Sequence, residues 1–224
     1  MSISAPFFNA LLLGYSGATG SALLTELVKS DKVNQIICLG RKAPAYDHHK
    51  VTWVCSDLSK MADHLDVFAG VSRVYCCLGT TMAKAGSKEA FRKVDYNMVV
   101  DAGIVAAQAG VASFSVVSAI GAQAQSMFYY NRVKGEMEQA LQQAGLKRLS
   151  IYQPGLIVAQ RSEHRTGESL AMRLYPLIEW FLPVKYRSIK AVTIARAMLL
   201  NSIKNDEGTE LLQNGEMEVL SKSL

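Results

Sequence analysis

Apolar residues in this chain come in short runs of four to eight, separated by longer stretches in which they recur every three or four positions. Continuous short runs predict strands buried on both faces of a parallel sheet, and the wider spacing between them predicts helices covering that sheet. Strands are expected at 8–13, 35–39, 51–55, 73–77, 113–117 and 149–152. Helices are expected at 19–29, where Leu23, Leu24, Leu27 and Val28 share a face, and at 88–109, with Val94, Met98, Val99 and Val105 similarly spaced. A third, at 127–144, is closed by Gly145. After the sixth strand the alternation weakens into a loop at 153–167, helices at 168–181 and 191–203, and a hairpin within 211–220 that turns on Asn214-Gly215. The whole predicts an α/β fold: a Rossmann doubly wound parallel sheet in a single domain, 1–224, with a small C-terminal substrate-side subregion mainly at 153–190. Such sheets bind ligands at the carboxyl ends of their strands.

Composition agrees with one large domain. Of 224 residues, 50% are apolar and 19% charged, and the net charge of +5 is too small for a disordered chain. Cys38, Cys55, Cys76 and Cys77 lie in or beside apolar runs without metal-like spacing, which reads as buried free thiols in a reducing, cytoplasmic location. The apolar stretch 7–13 has no Lys or Arg before it and runs into glycines, so it reads as a strand and not a signal peptide. The stretch 170–182 is interrupted by Arg173, Pro176 and Glu179 and is short of a bilayer span, so no membrane partner is expected. Basic residues are scattered, which argues against nucleic acid and suits a small anionic ligand. His48 and His49 sit side by side in a polar loop without the spacing that aims two ligands at one ion, and no metal site is expected.

The first strand runs into Gly14-Tyr15-Ser16-Gly17-Ala18-Thr19-Gly20 and then a helix. Glycines let the backbone turn and approach a pyrophosphate, whose charge is drawn to the helix N-terminus. The spacing alone is weak, but strand, glycine loop and helix in that order make Gly14, Ser16, Gly17, Ala18, Thr19 and Gly20 candidate dinucleotide contacts. An acid that would bind the ribose 2′-hydroxyl is missing at the end of the second strand, where the chain reads Gly40-Arg41-Lys42. Arg41 suits a 2′-phosphate, so NADP is expected over NAD.

Tyr-x-x-x-Lys on a helix sets a phenol and an ammonium one turn apart, so that the cation lowers the phenol's pKa. The pattern occurs three times, at Tyr46/Lys50, Tyr130/Lys134 and Tyr186/Lys190. Only the middle pair opens a helix after the fifth strand, and only it has a serine one connection upstream, Ser118. That placement would bring the Ser118 and Tyr130 hydroxyls together over the strand ends.

The glycine loop, Val117-Ser118-Ala119 and Tyr130-Asn131-Arg132-Val133-Lys134 together resemble the short-chain dehydrogenase/reductase superfamily in its atypical or extended branch. More narrowly, Gly40-Arg41, Cys77-Leu78-Gly79-Thr80-Thr81, Val94-Asp95-Tyr96-Asn97, Val133-Lys134-Gly135-Glu136 and Gln153-Pro154-Gly155 are similar to the Tat-interacting-protein-like oxidoreductases, relatives of nucleoside-diphosphate-sugar epimerases. The resemblance implies an NADP-dependent oxidoreductase passing hydride between nicotinamide and a small carbonyl or alcohol. It makes Tyr130 the acid/base, Lys134 the holder of the nicotinamide ribose, Ser118 the group that polarises the carbonyl and Asn97 a member of the proton relay. It adds Asp57 with Leu58, Leu78, Gly79 and Thr80, and Pro154 with Gly155, as cofactor contacts. Two other readings share the site: a cofactor-sensing regulatory protein, and a nucleotide-sugar epimerase or dehydratase. For the last, about 70 residues after Gln153 are few to grip a nucleotide sugar. A small-molecule substrate is the expected partner, and a homodimer is left open.

Overall fold

The computed structural model describes residues 7–158, 183–204 and 206–223. Seven strands form one sheet: Phe8–Leu13 (β1), Val33–Gly40 (β2), Val51–Cys55 (β3), Arg73–Cys76 (β4), Ser113–Val117 (β5), Arg148–Tyr152 (β6) and Gly208–Leu212, which is β9 in chain order. Between the last two lies a separate parallel pair, Ile157–Val158 (β7) and Ile189–Lys190 (β8). The order across the large sheet is β3-β2-β1-β4-β5-β6-β9, and all six pairings are parallel. Order reverses between β1 and β4, so the crevice above those two strand ends is the natural ligand site.

The helices are Ala18–Lys29 (α1), Leu65–Ala69 (α2), Met82–Ala85 (α3), Lys88–Arg92 (α4), Met98–Gln108 (α5), Tyr129–Gln142 (α6), Ala191–Ser202 (α7) and Asn214–Ser221 (α8). Alternation along β1 divides the core. Ala10 and Leu12 join Leu23, Leu27, Ile194 and Met198 under α1 and α7, while Leu11 and Leu13 join Phe68, Val99, Ala102 and Met137 under α2, α5 and α6. Burial on both faces is the reason the central strands read as largely apolar runs.

Three sequence expectations need correction here, and one falls outside the structure. The helix expected at 168–181, like most of the substrate-side subregion, lies outside the described residues. The hairpin at Asn214-Gly215 is absent: β9 pairs parallel with β6, and α8 starts at Asn214. The side chain of Asn214 is fully buried, where it accepts from the Gly155 N–H (3.0 Å) and donates to the carbonyls of Val184 (3.1 Å) and Arg187 (2.8 Å). Glu216 accepts the Gln213 N–H at 3.0 Å and caps the helix, so tertiary bonds override the local turn signal. Cys55 is exposed and not buried, because β3 is the sheet edge. The single helix expected at 88–109 is two α-helices joined by a π-turn, Lys93–Asn97.

Candidate functional site

Above the β1/β4 crevice lies a cavity of about 400 Å³. Gly14, Ser16 and Gly17 form one wall, Gly40 and Arg41 the second, Asp57 and Leu58 the third, and Leu78, Gly79 and Thr80 the fourth. Ala18, Thr19 and Gly20 make the first turn of α1 behind the glycine wall. First-turn N–H groups have no partner within their own helix, and α1 carries no acid there, so this end is free to receive an anion. Gly14 has φ +77, and a Cβ on it would strike the Cys77 carbonyl; a Cβ on Gly20 would strike the Gly14 carbonyl. The loop is therefore held at a closeness that only glycine permits, which leaves room for a pyrophosphate.

At the adenosine end the Gly40–Lys42 turn is fixed from below. Tyr15, itself buried, donates its hydroxyl to the Lys42 carbonyl, and the Trp53 indole N–H donates to the Gly40 carbonyl at 3.0 Å. Arg41 stands exposed on the turn between these two anchors. Asp57, also exposed, accepts the Ser59 N–H at 2.8 Å, which holds its carboxyl below the usual range. Leu58 has φ +63, a strained conformation for a branched side chain, with its N–H bonded to Ser56 Oγ at 3.0 Å.

The side chains expected to react lie beyond the Gly79 wall. Tyr130 and Lys134 are one turn apart on α6, and a Cβ on Gly79 would stand 3.9 Å from Lys134 Nζ and 3.4 Å from Asp95 Oδ1. Lys134 Nζ is 2.8 Å from Asp95 Oδ1, and Asp95 Oδ2 accepts the Thr80 N–H at 2.8 Å. Burial would lower the Lys134 pKa, but Asp95 and Tyr130 outweigh it and hold it above the ordinary lysine value. The Tyr130 ring packs on Phe91 with centroids 5.5 Å apart.

Four expectations change. Lys134 does pull the Tyr130 pKa down, yet partial burial of this 37%-exposed residue, helped by Asp95, leaves it raised, because the cation is already neutralised by its partner. Ser118 does not turn to Tyr130: its hydroxyl is hydrogen-bonded to the Glu138 carboxyl. Asn97 is exposed at the end of the π-turn, whereas Asp95 falls on the buried stripe with Phe91 and Val99. An acid in an apolar i, i+4 stripe is the signal that could have found Asp95, since such a group needs a cation. Pro154 and Gly155 are outside the cavity wall; the Pro154 carbonyl accepts the Ile120 N–H (2.9 Å) and Gly155 is tied to Asn214. Of the other Tyr-x-x-x-Lys pairs, Tyr46 lies in an exposed loop, and Lys50 Nζ instead donates to the carbonyls of Val28 and Ser30 at the end of α1. Tyr186 lies in a short 3₁₀ turn, exposed. No group of three or more metal-ligating side chains occurs among the described residues. Nor, among them, is any helix long and apolar enough to cross a membrane.

A glycine loop at the switch point, an anion-ready helix end and a Tyr-Lys pair beyond it define a dinucleotide-binding protein of the Rossmann class. The chain belongs to the NAD(P)H-binding family, whose model matches residues 14–170. Within it the chain falls in the atypical short-chain dehydrogenase/reductase group that includes HTATIP2. It is 33% identical over 221 residues to Protein HTATIP2 of Rattus norvegicus, covering 96% of this chain and 89% of that one. It is 34% identical over 169 residues to "Protein fmp52, mitochondrial" of Emericella nidulans, covering 73% and 72%. Among solved structures, MoeE5 in complex with UDP-glucose and NAD superposes with a TM-score of 0.68 at 15% identity, over 95% of this chain and 80% of that one. The UDP-glucose 4-epimerase of Thermotoga maritima gives 0.69 at 14% identity, with the same coverage. At those identities the likeness speaks for the fold.

Proposed function

We propose that this protein is an NADP-dependent oxidoreductase that interconverts a small carbonyl compound and its alcohol. The observation that carries the reading is the seating of Lys134, one helical turn from Tyr130, directly behind the Gly79 wall of the dinucleotide cavity. The cavity's glycine cradle and anion-ready helix end fit a dinucleotide. Gly14, Ser16, Gly17 and the start of α1 would hold its pyrophosphate, and Arg41 a 2′-phosphate; when bound, the nicotinamide supplies or accepts the hydride. Tyr130, a phenol protonated at neutral pH, gives or takes the proton at the substrate oxygen. Lys134 carries the fixed positive charge beside it, and Ser118 polarises the carbonyl.

Activity is tested by screening aldehydes, ketones and alcohols with saturating NADP(H). Turnover that disappears in Tyr130→Phe supports the reading, and no turnover above that background overturns it. A second reading, a cofactor-sensing regulator, draws support from Lys134 being paired with Asp95 and Ser118 with Glu138, both engaged inside the protein. It expects cofactor binding without turnover. A nucleotide-sugar epimerase or dehydratase is a further reading, suggested by the sugar nucleotides bound to the structural neighbours. The free thiols point to a reducing compartment such as the cytoplasm, while the fungal relative's name points to mitochondria.

A further inference from the structure

Glu138 sits one turn beyond Lys134 and two turns beyond Tyr130, on the face of α6 that packs against the sheet. It is buried, and so are the two side chains that touch it, Ser118 after β5 and Gln153 after β6. Ser118 Oγ bonds Glu138 Oε1, while Gln153 Nε2 lies 3.0 Å from Oε1 and 3.1 Å from Oε2. The Gln153 amide is oriented by its own neighbour, since its Oε1 accepts from Gln213 Nε2 at 3.3 Å. Gln153 is therefore a donor to Glu138, and the only undecided proton in the cluster is the one shared between Glu138 and Ser118.

That proton decides what Ser118 can do. A hydroxyl has one hydrogen to give. If Glu138 is ionised, Ser118 must donate to it and can only accept from anything on its other side. If Glu138 is the neutral acid, its O–H donates to Ser118 Oγ and the serine hydrogen is released for another acceptor. Resting on the reductase reading above, we propose that Glu138 is a positioning residue: as the neutral acid it donates to Ser118 Oγ and so turns the Ser118 hydroxyl toward the substrate carbonyl.

The surroundings favour the neutral form. Burial raises the Glu138 pKa, and this outweighs the hydrogen bonds from Ser118 and Gln153 and the attraction of Lys134. Of these only Lys134 carries a charge, and it is already matched by Asp95. A buried acid facing two neutral polar groups is harder to ionise than the same acid in water.

The experiment joins a spectroscopic titration to kinetics. Infrared spectra of the full chain at neutral pH should show a protonated-carboxyl C=O band that vanishes in Glu138→Gln; its absence from the wild type overturns the proposal. With a carbonyl substrate and NADPH, Glu138→Met should lose as much kcat as Ser118→Ala, roughly 10-fold to 100-fold, while KM for NADPH holds. Glu138→Gln keeps an N–H toward Ser118 and should recover most of that loss. Wild-type turnover should fall as pH rises through the titration seen in the infrared, and this fall should be missing from Glu138→Gln. A Glu138→Met variant with wild-type kcat, or a Glu138→Gln profile that keeps the fall, overturns the role of Glu138. The infrared arm needs no turnover, so a chain that reduces no carbonyl defeats the reductase reading, whereas a missing band defeats the Glu138 assignment.

Discussion

Lys134 Nζ lies 2.8 Å from Asp95 Oδ1, with side-chain exposures of 4% and 1%. A charge pair so enclosed holds two elements together, the π-turn at 93–97 and α6, and Asp95 adds the loop after β4 through the Thr80 N–H. Each partner depends on the other, because a single buried charge left alone costs several kcal/mol.

Asp95→Asn should therefore destabilise the protein by about 3 kcal/mol or more, measured by urea unfolding at pH 7. The sign of its pH dependence follows from Lys134. In the wild type its folded pKa is raised, so the pair's contribution is present below the unfolded lysine pKa and lost as pH rises through the folded one. In the variant burial acts unopposed by Asp95, the folded pKa falls, and the deficit should shrink as pH rises toward the ordinary lysine range. A deficit that is independent of pH would show that Asp95 acts by packing alone.

Arg41 should set the choice of cofactor. Fluorescence titration is expected to show tighter binding of NADPH than of NADH, and Arg41→Ala should weaken NADPH about 10-fold to 100-fold while leaving NADH nearly unchanged. Equal wild-type affinities would remove the 2′-phosphate from the proposal.

Tyr130→Phe should lower kcat by about 100-fold or more with cofactor affinity kept, since it removes one hydroxyl from a ring that still packs on Phe91. Tyr46→Phe and Tyr186→Phe should leave turnover unaffected, as both rings sit outside the cavity wall. Kinetics on the three purified variants with one carbonyl substrate separate these outcomes.

Glu210 on β9 bonds three buried groups: Arg148 Nη2 (2.8 Å), Ser150 Oγ (2.7 Å) and Asn201 Nδ2 (2.6 Å). Burial works against its charge, but these donors win and hold its carboxyl below the ordinary value. Its contribution to stability is thus present above the unfolded glutamate pKa and lost as pH falls through the folded one. Glu210→Gln should cost about 2 kcal/mol at pH 7 and much less in acid, measured by thermal unfolding across pH; an equal loss at both ends would rule out the charge.

The order of elements was legible because it is local. Strands buried on both faces are mostly apolar, so β1, β4, β5 and β6 announce themselves, and a glycine loop between β1 and α1 has few uses other than approach to a phosphate. These local patterns determined the Rossmann class and the cavity walls at Gly14 and Arg41, while Gly79 came from the family resemblance. Partnerships across the sheet were not local. The turn signal at Asn214-Gly215 yielded to hydrogen bonds with Gly155, Val184 and Arg187, none of which is near it in sequence. Asn97 and Asp95 are two residues apart, and only the wider π-turn and the approach of α6 decided which is buried. Likewise Ser118, Glu138 and Gln153 come from three separate segments, and a hydroxyl bonds whichever partner packing brings within reach. Sequence spacing fixes which residues share a face of one element, whereas pairing between elements is decided by the sum of many burial and hydrogen-bond terms spread over the whole chain.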